Sequence, residues 1–499
     1  MRKLQRSAQQ VENYVGGEWV PPSTGDYAPN RNPANLDDVI GEYPVSGVKD
    51  VGAAVAAAKQ AFAGWSATPA PNRGRVLARA TELFKSRLDD FARMLCREEG
   101  KTLAESRGEV MKGINLYEFY AGEGFRLKGK TVPSEMPRTL TFTLRQPLGV
   151  VALITPWNFP FAIPAWKSAP ALVAGNTLVL KPASNTPATA MMIAQVLHDA
   201  GLPKGAFNVV AGSGGAVGNA LVDQPEVKAV SFTGSNAIGM AINERSARRG
   251  IRVTCEMGGK NPVVVLEDAD LSLAAGGILQ GAFGSTGQRC TASSRVVVQR
   301  SVADKLVQAV IEGARKIRVG NGLNTEVDMG PAVDEAQLNT DLRYIELGQN
   351  EGAKLLLGGR RLRGGEFDKG FFIEPTVFTG VQPGMRIHQE EIFGPVICVV
   401  EVDGFEDALE AANAVDFGLS SSIYTRDVNA ALAFVERSEV GMVHVNNPTV
   451  GGEAQLPFGG WKSTGIGERE MSEEGAEFFT QLKTVFFDYT GQPRQSKIY

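Results

Sequence analysis

The spacing of apolar positions changes character along the chain, and each change predicts a different kind of element. Residues 13–44 read as short strands and Pro- and Asn-rich turns. From 48 to 126 apolar residues recur three and four apart, as in Val51-Gly-Ala-Ala-Val-Ala-Ala-Ala-Lys-Gln-Ala-Phe62 and Gly74-Arg-Val-Leu-Ala-Arg-Ala-Thr-Glu-Leu-Phe84, which is the period of helices with one packing face. Residues 131–147 then alternate, most clearly in Leu140-Thr-Phe-Thr-Leu-Arg145, which predicts half-buried strands. Between 150 and 266 short apolar runs (150–155, 177–180, 207–210, 229–232 and 263–266) are separated by helical stretches. Strand and helix in alternation predict a parallel sheet covered on both faces, with ligands bound at the carboxyl ends of its strands. The alternation resumes after the apolar run 271–283, at 296–298, 302–317, 397–402 and 405–414, predicting a second α/β domain and a cleft between the two. The stretch Phe478-Phe-Thr-Gln-Leu-Lys-Thr-Val-Phe-Phe-Asp-Tyr489 is too apolar for a free tail and is expected to pair with another subunit.

Composition narrows the class. At 499 residues, 43% hydrophobic and 21% charged, the chain has the make-up of a soluble protein with two or three domains. A formal net charge of −4 with scattered lysines and arginines offers no surface for nucleic acid. No apolar run reaches the roughly eighteen residues of a membrane span, and Met1-Arg-Lys-Leu-Gln-Arg-Ser-Ala has no apolar segment behind its charges, so a cytoplasmic protein without membrane partners is expected. The 4 cysteines are far apart without Cys-x-x-Cys spacing, and the 3 histidines are isolated. No metal site or histidine-based triad is expected, and a general base must be a carboxylate.

Gly284-Ser-Thr-Gly-Gln-Arg-Cys-Thr-Ala-Ser293 places one cysteine, Cys290, among small and polar residues between a helical run and a strand-like one. A free cysteine is most often a small buried hydrophobe, yet a thiolate is a strong nucleophile. Three further blocks change the balance: Thr155-Pro-Trp-Asn-Phe-Pro160, Glu256-Met-Gly-Gly-Lys-Asn-Pro262 and Glu390-Glu-Ile-Phe-Gly-Pro395. With Gly287-Gln-Arg-Cys290, and in this order across nearly the whole chain, they resemble the aldehyde dehydrogenase superfamily. The resemblance implies two α/β domains with parallel sheets, one Rossmann-like for the cofactor and one catalytic, plus a small β element for oligomerisation. The expected boundaries are 1–126 and 147–257 for the cofactor domain, 258–465 for the catalytic domain, and 127–146 with 478–499 for strands that bridge subunits of a homodimer or homotetramer.

On the cofactor side, Gly-x-Gly-x-x-Gly is not met, since Gly212-Ser-Gly-Gly-Ala-Val-Gly218 has the wrong spacing. Lys181-Pro-Ala-Ser-Asn-Thr-Pro187 instead reads as a strand-to-helix crossing, with Thr186 suited to cap the helix and Pro187 to its first position. Lys181 there could meet ribose hydroxyls or a 2′-phosphate, or be a solvated surface lysine. In Phe232-Thr-Gly-Ser-Asn-Ala-Ile-Gly239, Gly234 permits a tight turn and Ser235 opens a helix whose N-terminus favours a phosphate, though an ordinary capped helix reads the same way. The resemblance implies that Thr155, Pro156, Trp157, Lys181, Ser184, Gly234, Ser235, Met257, Glu391 and Phe393 line the dinucleotide. Many NAD-specific relatives carry glutamate where this chain has Ser184, so NADP is favoured, with NAD still admitted.

For the chemistry, the resemblance implies attack by Cys290 on the aldehyde carbon, hydride transfer to the nicotinamide, and a thioester hydrolysed by water that Glu256 activates. The Asn158 amide and the Cys290 N–H are the expected oxyanion donors. Lys181 is assigned a second role through its charge, and Glu470 the passage of protons outward, with Glu468 as its substitute. Arg289 could anchor an acidic substrate in bidentate fashion or be tied into an internal ion pair. Phe159, Trp166 and Phe458 could line an apolar tunnel. Glu453-Ala-Gln-Leu-Pro-Phe-Gly-Gly-Trp-Lys-Ser-Thr-Gly465 with Arg469-Glu-Met471, together with Lys181-Pro-Ala-Ser184, is most similar to dehydrogenases of short acidic semialdehydes such as 2-oxoglutarate semialdehyde, with succinate-semialdehyde and non-phosphorylating glyceraldehyde-3-phosphate dehydrogenases, and enzymes of broad range, as rivals. Release of the thioester to coenzyme A, or a scaffold without activity, are alternatives of another class; the presence of Glu256 together with Cys290 and Asn158 argues against both.

Overall fold

The computed structural model describes residues 10–493. The outer ends of the expected cofactor and subunit-bridging segments, 1–9 and 494–499, lie outside the described residues. The first sheet has eight strands in the order Glu18–Val20, Asn13–Val15, Phe207–Val209, Thr177–Lys181, Val150–Ile154, Val227–Thr233, Arg252–Glu256 and Gly465–Ile466. The strands from Phe207–Val209 through Arg252–Glu256 run parallel. Val150–Ile154 and Thr177–Lys181 are buried at every position, so they read as unbroken apolar runs rather than as alternation. Chain order reverses at Val150–Ile154: the next two strands go to one side and Val227–Thr233 to the other. That switch point opens a crevice at the carboxyl ends.

The second sheet orders Lys354–Leu357, Thr376–Thr379, Val396–Val402, Ser293–Gln299, Asn261–Val265, Ser420–Tyr424 and Met442–Val445, parallel except for its first strand. Its helix Leu271–Phe283 starts where Asp270 accepts the N–H groups of Ser272 and Leu273, both at 3.1 Å. After this sheet the chain returns: Gly465–Ile466 joins the first sheet, and Glu470 and Phe458 exchange backbone hydrogen bonds of 2.7 and 2.9 Å. The third sheet pairs Thr480–Asp488 with Thr139–Pro147 and that strand with Thr131–Pro133, all antiparallel. Its face leaves Phe486 73% and Leu482 59% exposed. No helix among the described residues is long and apolar enough to cross a membrane.

One local expectation is corrected. Pro187 does open the helix Pro187–Asp199, but the Thr186 side chain makes no cap and its hydroxyl is buried without a partner. Glu98, from the helix Leu88–Glu99, takes that place: its carboxyl accepts the Ala188 N–H, the Thr189 N–H at 3.0 Å and the Thr189 hydroxyl at 2.7 Å. A carboxylate delivered by the fold outcompetes the local hydroxyl at a positive helix end.

Candidate active site

Cys290 follows a left-handed stretch in which Ser285, Thr286 and Gly287 have φ of 50, 59 and 68°. Two non-glycine residues in that region are strained and persist only where neighbours fix them. Here the Ser285 N–H donates to Glu105 Oε1 at 2.5 Å, the Thr286 hydroxyl to Gly330 O at 3.0 Å, and the Val333 N–H to Gln288 Oε1 at 2.9 Å. Gly287 abuts the Glu391–Phe393 loop so closely that a Cβ would lie 2.3 Å from Gly394 O. The Cys290 carbonyl accepts Asn261 Nδ2 at 2.8 Å, and a Cβ on Gly259 would stand 2.4 Å from it, which brings the segment carrying Glu256 against the cysteine. The sulfur is half-buried, and its pKa is pushed up to about 12 by burial and then by Glu391 and Glu256, against smaller lowering effects of Lys112 and the Thr291 N–H. The resting thiol is therefore neutral and needs a base to become a nucleophile.

Asn158 is buried, and one hydrogen of its amide is donated to Gln288 O at 3.2 Å, next to the cysteine. Its position is locked from behind. Lys101 Nζ, fully buried, donates to Asn158 O at 2.6 Å and to Glu109 Oε2 at 2.5 Å, while Glu109 Oε1 accepts the N–H groups of Phe161 and Ala162 at 2.8 and 3.1 Å. The lysine and Glu109 bond to one another and between them hold three backbone groups of the loop 158–162.

Glu256 ends a strand of the first sheet, 3% exposed, with Oε2 unpartnered. Burial, and then Glu470, raise its pKa well above the usual carboxylate range, while Lys167, Arg469 and the Gly460 N–H draw it down. Glu470 Oε1 accepts from Lys167 Nζ and from the Ser231 hydroxyl at 2.9 Å, and Lys167 Nζ also donates to Ser231 Oγ at 2.8 Å. Of the two glutamates that could pass protons, Glu470 is the buried one beside Glu256; Glu468 is exposed, with its carbonyl accepting the Thr254 hydroxyl.

A cleft of about 660 Å³ lies at the switch point, lined among others by Thr155, Pro156, Trp157, Lys181, Ser184, Gly234 and Ser235. Ser235 precedes the helix Asn236–Arg249 without a side-chain cap, so its first N–H groups face the cleft free to meet a phosphate. A Cβ on Gly234 would fall 2.5 Å from the Phe232 ring, and the Gly234 N–H donates to Glu256 O at 3.0 Å, tying the cleft to the candidate base. Burial lowers the Lys181 pKa to about 8. The residues fit a dinucleotide whose phosphates meet the helix end. Glu391 and Phe393 are not among the residues that line this cleft; Glu391 accepts the Gly259 N–H at 2.8 Å, and the Phe393 ring meets Trp157 edge-on at 5.4 Å. Met257 adds no side chain to this cleft: its thioether packs against Gly239 in the apolar core, and its N–H donates to Thr464 O at 2.7 Å. Lys181 lines this cleft, and the lysine beside Glu470 and Ser231 is instead Lys167.

Cys290 packs against the apolar cluster that contains Trp166 and Phe458, whose rings lie 5.2 Å apart, and Phe159 lies under Lys101 Nζ at 4.2 Å. Arg289 is engaged inside the protein, with Nη2 2.8 Å from Ser285 Oγ and 3.6 Å from Glu105 Oε1.

The aldehyde dehydrogenase family model matches residues 19–485. The chain belongs to this family. It is 45% identical over 474 residues to the alpha-ketoglutaric semialdehyde dehydrogenase of Bacillus subtilis, covering 95% of this chain and 97% of the relative. It is 46% identical over 481 residues to the 2,5-dioxopentanoate dehydrogenase of Saccharolobus solfataricus, covering 95% and 99%. Among solved structures, a betaine aldehyde dehydrogenase from Staphylococcus aureus in complex with NAD+ superposes with a TM-score of 0.95 at 34% identity, covering 99% and 98% of the two chains.

Three buried residues of this aldehyde dehydrogenase escaped the sequence reading: Lys101, Glu109 and Lys167. Lys167 had a visible signal, because it interrupts the stretch Ala162-Ile-Pro-Ala-Trp-Lys-Ser-Ala-Pro-Ala-Leu-Val-Ala174, every position of which is buried. A lysine in so apolar a helix must find a partner. Lys101 and Glu109 lie among other charged residues of the helical region and carry no such mark.

Proposed function

We propose that this aldehyde dehydrogenase oxidises a short acidic semialdehyde, 2-oxoglutarate semialdehyde foremost, through a thioester on Cys290 that Glu256 hydrolyses. What carries the reading is the meeting of a neutral thiol, a locked amide and a buried, underpaired carboxyl on one loop cluster. Glu256 takes the Cys290 proton, directly or through one water, and the sulfur bonds to the aldehyde carbon. The second hydrogen of the Asn158 amide and the Cys290 N–H hold the oxyanion; loss of one such donor costs about 3 kcal/mol of barrier. A bound nicotinamide supplies the acceptor for the hydride. The oxyanion then collapses to a thioester, Glu256 gives up the proton taken from Cys290 and regains its charge, and it then removes a proton from water as the hydroxyl group bonds to the acyl carbon and the Cys290 sulfur leaves as a thiolate. Glu470, Ser231 and Lys167 form the route by which that proton departs. The substrate class is supported by the acidic semialdehydes named for the two relatives.

Ser184 supports acceptance of NADP+: it is exposed at the rim of the cleft, carries no charge, and gives its hydroxyl hydrogen to Gly212 O at 3.0 Å. Asp334 reaches Asn185 at 3.3 Å on the same rim and moderates the preference, leaving NAD+ usable. The apolar outer face of the third sheet supports a homo-oligomer bridged there. A panel of short aldehydes with and without a terminal carboxylate, assayed with both nucleotides, tests the reading. Acidic semialdehydes should give the highest kcat/KM and the free acid as product; equal use of neutral aldehydes would sink the substrate assignment. Ser184→Glu should move selectivity towards NAD+ by about tenfold, the size of one like-charge repulsion at a partly exposed site. Unchanged selectivity would remove Ser184 from that role.

A further inference from the structure

Lys112 is a half-buried cation for which the described residues supply no counter-charge within ion-pair distance. It projects from the helix Leu103–Glu123, with Nζ 5.1 Å from the Trp166 ring centroid and 5.6 Å from that of Phe458. A Cβ on Gly452 would lie 3.4 Å from the same nitrogen, so the ammonium is flanked by two aromatic rings and a backbone segment. Of the buried lysines near Cys290, Lys101 takes Glu109 and Lys167 takes Glu470, while Lys260, just before the strand that carries Asn261 and away from the aromatic pair, is buried with its Nζ unpartnered. Among the described residues no carboxylate comes within ion-pair distance of Lys112, and no hydrogen bond engages it. Glu109, the nearest acid to act on it, is already committed to Lys101 and two backbone N–H groups. Burial draws the Lys112 pKa below the ordinary lysine value, with Cys290 the next group to act on it.

Aromatic faces attract a cation but do not replace lost hydration as a hydrogen-bonding anion does. Lys112 thus stands half-buried beside the aromatic pair, its ammonium open to solvent on one side and without a protein acceptor. Arg289, the other cation there, already serves Ser285 and lies beside Glu105. Resting on the acidic-substrate reading above, we propose that Lys112 binds the distal carboxylate of the aldehyde and sets the preference for an acidic chain end. The aromatic pair Trp166 and Phe458 packs along the methylene chain between that carboxylate and the reacting carbon.

The test compares 2-oxoglutarate semialdehyde with pentanal, of equal carbon count and without the carboxylate, in wild type, Lys112→Met, Lys112→Arg and Arg289→Met. In Lys112→Met the acidic-to-neutral ratio of kcat/KM should fall about 30-fold, the scale of one charged hydrogen bond, chiefly through KM for the acidic substrate. Lys112→Arg should recover most of the ratio, and Arg289→Met should lower it less than Lys112→Met does. Nucleotide binding followed by fluorescence identifies a folded variant, and Lys112→Gln replaces the methionine variant if that one fails to fold. A ratio within about twofold of wild type in a folded Lys112→Met or Lys112→Gln would overturn the assignment, as would a larger fall in Arg289→Met. A wild-type enzyme with no preference for the acidic aldehyde would instead overturn the substrate class itself, and with it the role of Lys112.

Discussion

Two groups of the same composition, one buried lysine and two buried glutamates, flank the cysteine loop, and they behave as opposites. In the first, Lys101 lies 2.5 Å from Glu109 and 3.8 Å from Glu99, and the lysine and Glu109 spend their bonding capacity on Asn158 O, Phe161 N–H and Ala162 N–H. Burial lifts Glu99 to about 8, so near neutral pH it is mostly protonated and the group reduces to one ion pair bolted to a loop. In the second, Lys167 meets Glu470 and Ser231, while Glu256 Oε2 and Glu470 Oε2 have no partner. Both groups hold an unpartnered carboxyl oxygen, Glu99 Oε1 in the first as well as those of the second. What separates a brace from a proton route is where the bonds go: the Lys101–Glu109 pair is tied to the backbone of the loop 158–162, whereas the free oxygens of the second group belong to the candidate base and its neighbour and leave room for a proton or a water to arrive.

The largest effect should come from the loose group. Glu256→Gln removes the base of both the thiol and the hydrolytic water and should lower steady turnover about 1,000-fold, within the usual range for general base catalysis, with the first burst of reduced cofactor slowed as well. The pH profile carries a second signature. A carboxyl held well above its ordinary pKa stays protonated until the pH passes that raised value, so wild-type turnover should climb with pH beyond the range where ordinary carboxylates have ionised. Glu256→Gln should lose that limb. A variant that keeps both its rate and its limb would show that Glu256 is not the base.

The tight group should answer in stability instead. Lys101→Met strands Glu109 and unclamps the Asn158 loop, and a broken buried pair costs about 3–5 kcal/mol. Denaturant midpoints should therefore drop further for Lys101→Met than for Lys167→Met. In return, Lys167→Met should alter the pH dependence of turnover more than Lys101→Met does. Equal losses of stability with unshifted pH profiles would erase the contrast between the two groups.

How far the sequence reveals this follows from where each signal resides. The strand runs such as Val150–Ile154 announce themselves because burial on both faces demands uninterrupted apolar residues. Cys290, Glu256 and Asn158 are legible because the blocks that carry them resemble those of the aldehyde dehydrogenase family; taken singly, a cysteine or a glutamate says little. The supporting charges are another matter. Lys167 and Glu470 are 303 positions apart, and a lysine that will be buried against a distant glutamate has the same local grammar as one in solvent. Thr186 failed as a cap for the same reason, since Glu98 reaches that helix from 91 residues away in the case of Thr189. Local rules describe the backbone well and lose to whatever the fold delivers from elsewhere.

The smallest effect isolates the cysteine between the two groups. Burial sets most of its high pKa, and Glu391 and Glu256 are the carboxylates that add most to it. Iodoacetamide should therefore alkylate the nucleotide-free enzyme at a rate that keeps rising, without levelling, up to about pH 9.5. Peptide mapping separates Cys290 from the buried Cys96, Cys255 and Cys398. Burial holds Glu391 at about 7, so it is charged, and repels a thiolate, only above that pH. Glu391→Gln should then speed alkylation about threefold above neutral pH and leave it unaltered well below, a shift of roughly half a pKa unit for one removed charge. Glu99→Gln, in the tight group, should leave the profile where it is. A plateau below pH 9, or a response to Glu99→Gln as large as to Glu391→Gln, would mean that the sulfur senses the brace as well as the proton route, and the two groups would have to be treated as one.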